Sequence, residues 1–266
     1  MKSTLIECVR AGGRVLLDHF GGPVRFQMKE NQSSIVTEAD FASEKLILEM
    51  IRSSFPEHNT LAEESGWVDR QSPYTWIVDP LDGTSNFAAG LPWFGVMVAL
   101  LENTTPVLGA MYLPTDDRLY LAERGAGATR NGDRIRLPSE ANLPDMLCAC
   151  PMDPSANDDL LRRQVDLLRR IAQTARNVRS TNSLFDFASV IEGRFGLCVN
   201  HQTMIWDIAA PTLIVTEAGG TCTDLTGREI QFVLDRDCTR RSYAVIVSHR
   251  ALLEPALTLV AQSGLP

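Results

Sequence analysis

Apolar positions in residues 4–20 recur with helical spacing, and Leu5, Val9, Leu16, Leu17 and Phe20 fall on or near one side. Gly21-Gly22-Pro23 should end this helix. A polar stretch through Lys29, Glu30, Asn31 and Gln32 follows, and Ser34 to Asp40 leads into a second helix reaching about Ser54. Thr37 and Asp40 have the spacing of a capping box. Phe55-Pro56-Glu57-His58 breaks that helix, and Thr60-Leu61-Ala62 predicts a short strand delivering Glu63 and Glu64. Trp76-Ile77-Val78 suits a strand buried on both faces. It should run into a tight turn, because Asp79, Pro80 and Gly83 are the residues such a turn prefers. Ser85 or Asn86 is expected to cap a short following helix, whose N-terminal amides would favour a phosphate.

Beyond this turn, residues 95–101, 107–112 and 118–122 read as antiparallel strands, with turn signals at Gly125 to Ala128 and Asn131-Gly132. Gly125-x-Gly127 lacks the third glycine and the following helix of a dinucleotide-binding loop. A linker covers about 137–145. The remainder alternates: strand 146–150, helices 157–175 and 183–192, strand 195–199, a helix from near Asp207 to Gly219-Gly220, strands near 221–224 and 243–247, and a last helix over 249–262. The pattern predicts an α+β half over residues 1–140 and an α/β half over 141–266, sharing one cleft.

Composition narrows the partners. Apolar residues make up 44% and charged residues 22% of the chain, which is ordinary for a protein with a real core. A net charge of −8 argues against a nucleic-acid-binding role. An anionic substrate would then need local cations, which a bound metal supplies. No apolar run is long enough for a membrane span, and the N-terminus lacks the apolar core of a signal peptide. Six scattered cysteines are too few for a disulfide scaffold and fit a reducing, cytoplasmic setting. Cys148-x-Cys150 sits in an apolar run and reads as buried strand. Arg162, Arg163, Arg169 and Arg170 read as a solvated helix face.

Asp79 and Asp82 carry the first chemical signal. Two carboxylates in one pocket repel unless a cation sits between them, and a divalent metal serves that need. The competing reading is a turn whose Asp side chains bond to their own backbone. A calcium-binding loop of the EF-hand type is excluded, because the twelfth position counted from Asp79 is Gly90. Two adjacent acids after a strand point to opposite sides, so one of Glu63 and Glu64 should face the cleft. Asp207 is placed as a helix N-cap, with Pro211 in the first turn. Histidines 19, 58, 201 and 249 lack metal-ligand spacing, and Ser65 and Thr84 lack a neighbouring His–Asp pair.

Together these strings resemble the inositol monophosphatase family. The resemblance rests on Trp76 to Phe87 (WIVDPLDGTSNF) and Trp206 to Gly220 (WDIAAPTLIVTEAGG), supported by Ala62-Glu63-Glu64-Ser65, Val36-Thr37-Glu38-Ala39-Asp40 and the Gly125 to Gly132 loop. It implies a layered αβαβα fold, two or three Mg²⁺ ions, a homodimer and hydrolysis of a small phosphorylated metabolite. By position it implies Glu63, Asp79, Asp82, Asp207 and the Leu81 carbonyl as metal ligands. Asp40 and Thr84 would activate or orient the attacking water, Glu63 and Asp82 would share in the catalysis, and Gly83 and Thr84 amides would receive the phosphate. Some members of the family have regulatory partners, including RNA-polymerase-associated ones; the intact set of four carboxylates argues for catalysis instead.

Substrate residues depart from the family pattern. A small-residue segment that touches substrate hydroxyls corresponds here to Thr181-Asn182-Ser183-Leu184, and Asn200 stands where many members have Glu, seven residues before Asp207. Ser183, Asn200 and Asp207 are the expected substrate contacts. Inositol monophosphate and histidinol phosphate rank close together as substrates, ahead of fructose 1,6-bisphosphate and 3′-phosphoadenosine 5′-phosphate.

Overall fold

The computed structural model describes residues 1–22, 26–28 and 35–265, so Pro23 and the polar stretch at Lys29 to Gln32 lie outside the described residues. Helix α1 spans Lys2–His19; strands β1 (Phe26–Met28) and β2 (Ile35–Thr37) pair antiparallel; α2 runs Glu38–Ser54. Then come β3 (Asn59–Ala62), β4 (Gly66–Val68), β5 (Tyr74–Asp82), the short α3 (Thr84–Ala88), β6 (Gly95–Glu102), β7 (Thr105–Leu113), β8 (Arg118–Glu123), β9 (Gly127–Arg130) and β10 (Asp133–Ile135). The rest of the chain supplies β11 (Leu147–Ala149), α4 (Asp158–Thr174), β12 (Asn177–Val178), α5 (Leu184–Ile191), β13 (Phe195–Thr203), α6 (Ile205–Glu217), β14 (Thr221–Thr223), β15 (Tyr243–Ser248) and α7 (Leu253–Ser263).

Strand alternation builds the layers. The eight-stranded sheet has the order β10-β9-β8-β7-β6-β5-β3-β4. Trp76, Val78, Val96, Val98 and Leu100 project from one face against Leu5, Val9 and Leu16 of α1 and Ile47, Leu48 and Ile51 of α2. Ile77, Met97, Ala99 and Leu101 project from the other face into a second core. That core is closed by α5 and α6 and, beyond them, by Cys198, Val245 and Val247 of the five-stranded sheet β12-β11-β13-β15-β14. Leu197, Val199 and Ile246 face the far side, against Leu167 and Ile171 of α4 and Ala256 and Val260 of α7. The sequence of layers is helices, sheet, helices, sheet, helices, which is the expected αβαβα order. Helix α6 lies so close on β7 that a Cβ at Gly109 would meet the Ala210 carbonyl oxygen at 3.0 Å.

Cys148 and Cys150 are buried as expected, and all six cysteines are free thiols. The arginine face of α4 is ion-paired along the helix, Arg162 with Asp158 and Arg169 and Arg170 with Asp166. No helix among the described residues is long and apolar enough to cross a membrane.

Three local expectations are corrected. The segment from Asp79 to Asp82 is the end of β5, not a turn. Its pairing with β6 continues past Asp79–Met97 to Asp82–Gly95 through a bulge, because three steps on β5 oppose two on β6. Helix α3 starts at Thr84 with Gly83 in the cap position, so neither Ser85 nor Asn86 caps it. The Asn86 amide instead donates to the carbonyls of Trp93 at 3.0 Å and Thr181 at 2.8 Å. Finally, α6 begins at Ile205, so Asp207 is its third residue and not its cap, and Pro211 lies inside the helix.

Candidate active site

Residues three apart on a regular strand point to opposite faces. The bulge inserts one residue between Asp79 and Asp82 and turns both side chains to the same side. Pro80 fits there because it has no N–H to lose from the ladder. Its carbonyl accepts the Ser43 hydroxyl at 2.9 Å, tying the bulge to α2. Gly83 then takes φ of +81°, and a Cβ there would sit 2.6 Å from the Trp93 carbonyl oxygen and 3.0 Å from Ser183 Cβ. Only glycine meets both demands.

Asp207 enters from α6, its Oδ2 accepting the Met204 N–H at 2.6 Å. One carboxylate oxygen from each of Asp79, Asp82 and Asp207 lies within 4.8 Å of the others. Glu63 borders this triad. Its N–H extends the β3–β5 ladder by donating to the Val78 carbonyl at 3.2 Å, and its charge acts on both Asp79 and Asp207. The Asp79 Oδ1 accepts the Leu81 N–H at 3.1 Å, so the side-chain-to-backbone bond of the competing reading is present as well. Leu81 is buried, and its carbonyl accepts the Thr84 hydroxyl at 2.9 Å.

Electrostatics mark the triad as strained without a cation. Burial, then the charges of Glu63, Asp82, Asp207 and Asp40, push Asp79 well above the usual carboxylate range. Burial pushes Asp82 up to about 7, against the opposing Leu184 N–H. Asp207 is raised by burial and then by Asp82. None of the described residues lining the cleft is Lys, Arg or His. Clustered hard oxygen donors, with no basic side chain beside them among the described residues, suit a hard divalent cation such as Mg²⁺.

Asp40 is fully buried on α2. Its Oδ2 accepts the Thr37 N–H at 2.8 Å and the Thr37 hydroxyl at 2.6 Å, and its Oδ1 lies 3.2 Å from the Thr84 hydroxyl. The capping box and the Asp40–Thr84 pair therefore use the same carboxylate. Glu63, Asp82, Gly83, Thr84, Ser183, Asn200 and Asp207 all line one cleft of about 430 Å³. Asp79 lies beneath it, 1% exposed.

Asp186 also lines the cleft, and the sequence reading passed over it. Its carboxylate accepts the N–H groups of Thr181 and Asn182, and burial pushes it up to about 6 against those bonds. The signal was present: Ser183-x-x-Asp186 has capping spacing. Ser183 does cap α5, its hydroxyl accepting the Phe185 N–H at 3.3 Å. Asn200 folds its Oδ1 back onto the Gln202 N–H at 3.2 Å. Glu44, also passed over, holds the backbone just after Glu63.

Residues 1–264 match the inositol monophosphatase family. A fructose-1,6-bisphosphatase/inositol-1-monophosphatase of Thermotoga maritima is 35% identical over 225 residues, 84% of each chain. A Nus factor SuhB of Pasteurella multocida is 33% identical over 230 residues, 85% of this chain and 86% of its own. Among solved structures, a Thermotoga maritima IMPase superposes with a TM-score of 0.85 at 31% identity, covering 97% of this chain and 96% of its own.

Proposed function

From the premise that the chain belongs to the inositol monophosphatase family, we propose that it hydrolyses a small phosphate monoester with Mg²⁺ held at the cleft. The observation that carries this reading is the carboxylate triad of Asp79, buried beneath the cleft, with the half-buried Asp82 and Asp207 on its wall. With Glu63 and the Leu81 carbonyl, these residues would hold two or three ions. Bound Mg²⁺ neutralises a phosphate dianion, lowers the pKa of water and stabilises a leaving oxygen.

The chain's own groups do the positioning. Asp40, locked by Thr37, holds the Thr84 hydroxyl so that a water beside Thr84 passes its proton toward Asp40. Gly83 and Thr84 amides are the donors assigned to the phosphate oxygens. No side chain is needed as a covalent nucleophile. Ser183, Asn200 and Asp207 are assigned to the alcohol portion of the substrate.

Inositol monophosphate is the leading substrate. The hydroxyl of Ser183 and the amide of Asn200 suit a polyol, and no described lining residue offers a cation to a second phosphate. That counts against fructose 1,6-bisphosphate, despite the double name of the Thermotoga relative, and against 3′-phosphoadenosine 5′-phosphate. Asp153 favours histidinol phosphate as the second reading, because a carboxylate on the cleft wall can receive an amine. The relatives named Nus factor SuhB keep a regulatory partner as the non-enzymatic reading, which does not explain three carboxylates with oxygens within 4.8 Å of one another. Phosphate release from these four compounds, with and without Mg²⁺, tests the proposal. Mg²⁺-dependent release, fastest from inositol monophosphate, is expected; no release from any of them contradicts it.

A further inference from the structure

Helix α2 packs its buried face with residues at 40, 43, 44, 47 and 51, the spacing of an amphipathic stripe. Such a stripe is ordinarily apolar throughout, and Ile47 and Ile51 conform. Asp40, Ser43 and Glu44 do not, although they are only 0%, 0% and 4% exposed. A buried polar group is tolerated where it is hydrogen-bonded. Each of these three bonds to a segment of the candidate site: Asp40 to Thr84, Ser43 to the Pro80 carbonyl, and Glu44 to the loop that carries Glu63.

The Glu44 contact is bidentate. Its Oε2 accepts the Glu64 N–H and its Oε1 the Ser65 N–H, both at 2.8 Å. On the other side of Glu63, its own N–H is fixed on the Val78 carbonyl. Between Ala62 and Gly66, which pair with each other, only three residues form the hairpin loop. The backbone flanking Glu63 is thus pinned from both directions, and the direction of its side chain follows from those pins.

We propose that Glu44 is a positioning residue for the metal site, aiming Glu63 at the Asp79–Asp82–Asp207 triad through the backbone of Glu64 and Ser65. The inference rests on the Mg²⁺ reading above. A merely structural clamp is the alternative, and the fold supplies a matched control. Glu217 of α6 accepts the Gly125 and Gly127 N–H groups, both at 2.7 Å, at a hairpin that does not line the cleft.

The test uses the full chain, stripped of metal with EDTA and then dialysed, as wild type, Glu44→Gln and Glu217→Gln. Glutamine keeps one acceptor and turns an N–H₂ group against a backbone N–H, so each variant loses half of its clamp. Binding of Mn²⁺ is read from the spin-resonance signal of the free ion, and binding of Mg²⁺ by calorimetry; melting temperature reports the structural loss. Glu44→Gln is expected to weaken both ions by about 10- to 100-fold. Glu217→Gln is expected to lower the melting temperature but to leave both affinities at the wild-type value. Wild-type affinity in Glu44→Gln, or an equal loss in Glu217→Gln, overturns the inference while leaving the metal reading intact. Wild-type protein that binds neither ion overturns both. Should Glu44→Gln fail to fold, Glu44→Asp keeps the charge but is one methylene too short to reach both N–H groups. An affinity loss in that variant supports the assignment, and wild-type binding overturns it.

Discussion

Asp79 and Asp82 are held with carboxylate oxygens within 4.8 Å of each other by a single extra residue in β5. Without the bulge their side chains would leave the sheet in opposite directions. The fold thus uses a local irregularity at a strand end to concentrate negative charge, and places Asp207 of α6 over the same point.

Asp82→Asn should separate function from stability. Asparagine keeps an oxygen for the Leu184 N–H but removes one buried charge. Turnover at millimolar Mg²⁺ is expected to fall by at least about 100-fold, in the range for a lost transition-state charge contact. The melting temperature of the EDTA-treated variant is expected to rise above that of wild type. Near-normal activity would remove Asp82 from the metal set.

A pH dependence follows from the same charges. Burial holds Asp82 at about 7 and Asp186 at about 6 in the folded chain, against about 3.9 for an unfolded Asp. The folded state keeps protons that the unfolded state has released. This contribution to stability is fully present below about pH 4 and is lost as pH rises through about 7. Melting curves in EDTA should therefore lose stability over that window, and the increase in melting temperature on adding Mg²⁺ should grow with pH. A Mg²⁺ effect that shrinks as pH rises would contradict the assignment.

Thr84→Val preserves shape and removes the hydroxyl that bonds Asp40 and the Leu81 carbonyl. The expected outcome is a drop in kcat of about 100-fold, the lower end for general acid–base catalysis, with Mg²⁺ affinity little changed. Loss of Mg²⁺ binding in this variant would instead make Thr84 part of the metal site.

Gly83→Ala tests the geometry of the strand exit. Alanine would have to adopt φ of +81° and accept a Cβ 2.6 Å from the Trp93 carbonyl oxygen. Strain of this kind costs on the order of 1–3 kcal/mol, read as a lower denaturant midpoint, with activity falling as the loop shifts away from Ser183.

Much of this site was legible in the chain. Asp79, Asp82, Glu63, Asp207, Thr84 and Asp40 could be named from their strings, and alternation predicted the central strand. The bulge was not legible, because Asp-Pro-x-Asp-Gly carries the same residues that a tight turn prefers, and only pairing with β6 distinguishes them. The start of α6 was missed because Asp is favoured at a helix cap and also serves at the third helical position, and the string alone does not separate the two; Asp207 was thus moved to the cap and Pro211 to the first turn. Glu44 and Asp186 were passed over for another reason. Pattern reading assigns a charged helix position to solvent, whereas Glu44 is held by N–H groups of a loop some twenty residues away and Asp186 by N–H groups of the loop that folds back just before α5.

The most direct test is a crystal grown with Mn²⁺ and measured at the manganese absorption edge. The account predicts anomalous density ligated by Asp79, Asp82 and Asp207, with Glu63 turned toward it. A cleft without such density, or one in which Glu63 and Asp207 point away from the Asp79–Asp82 bulge, would contradict it.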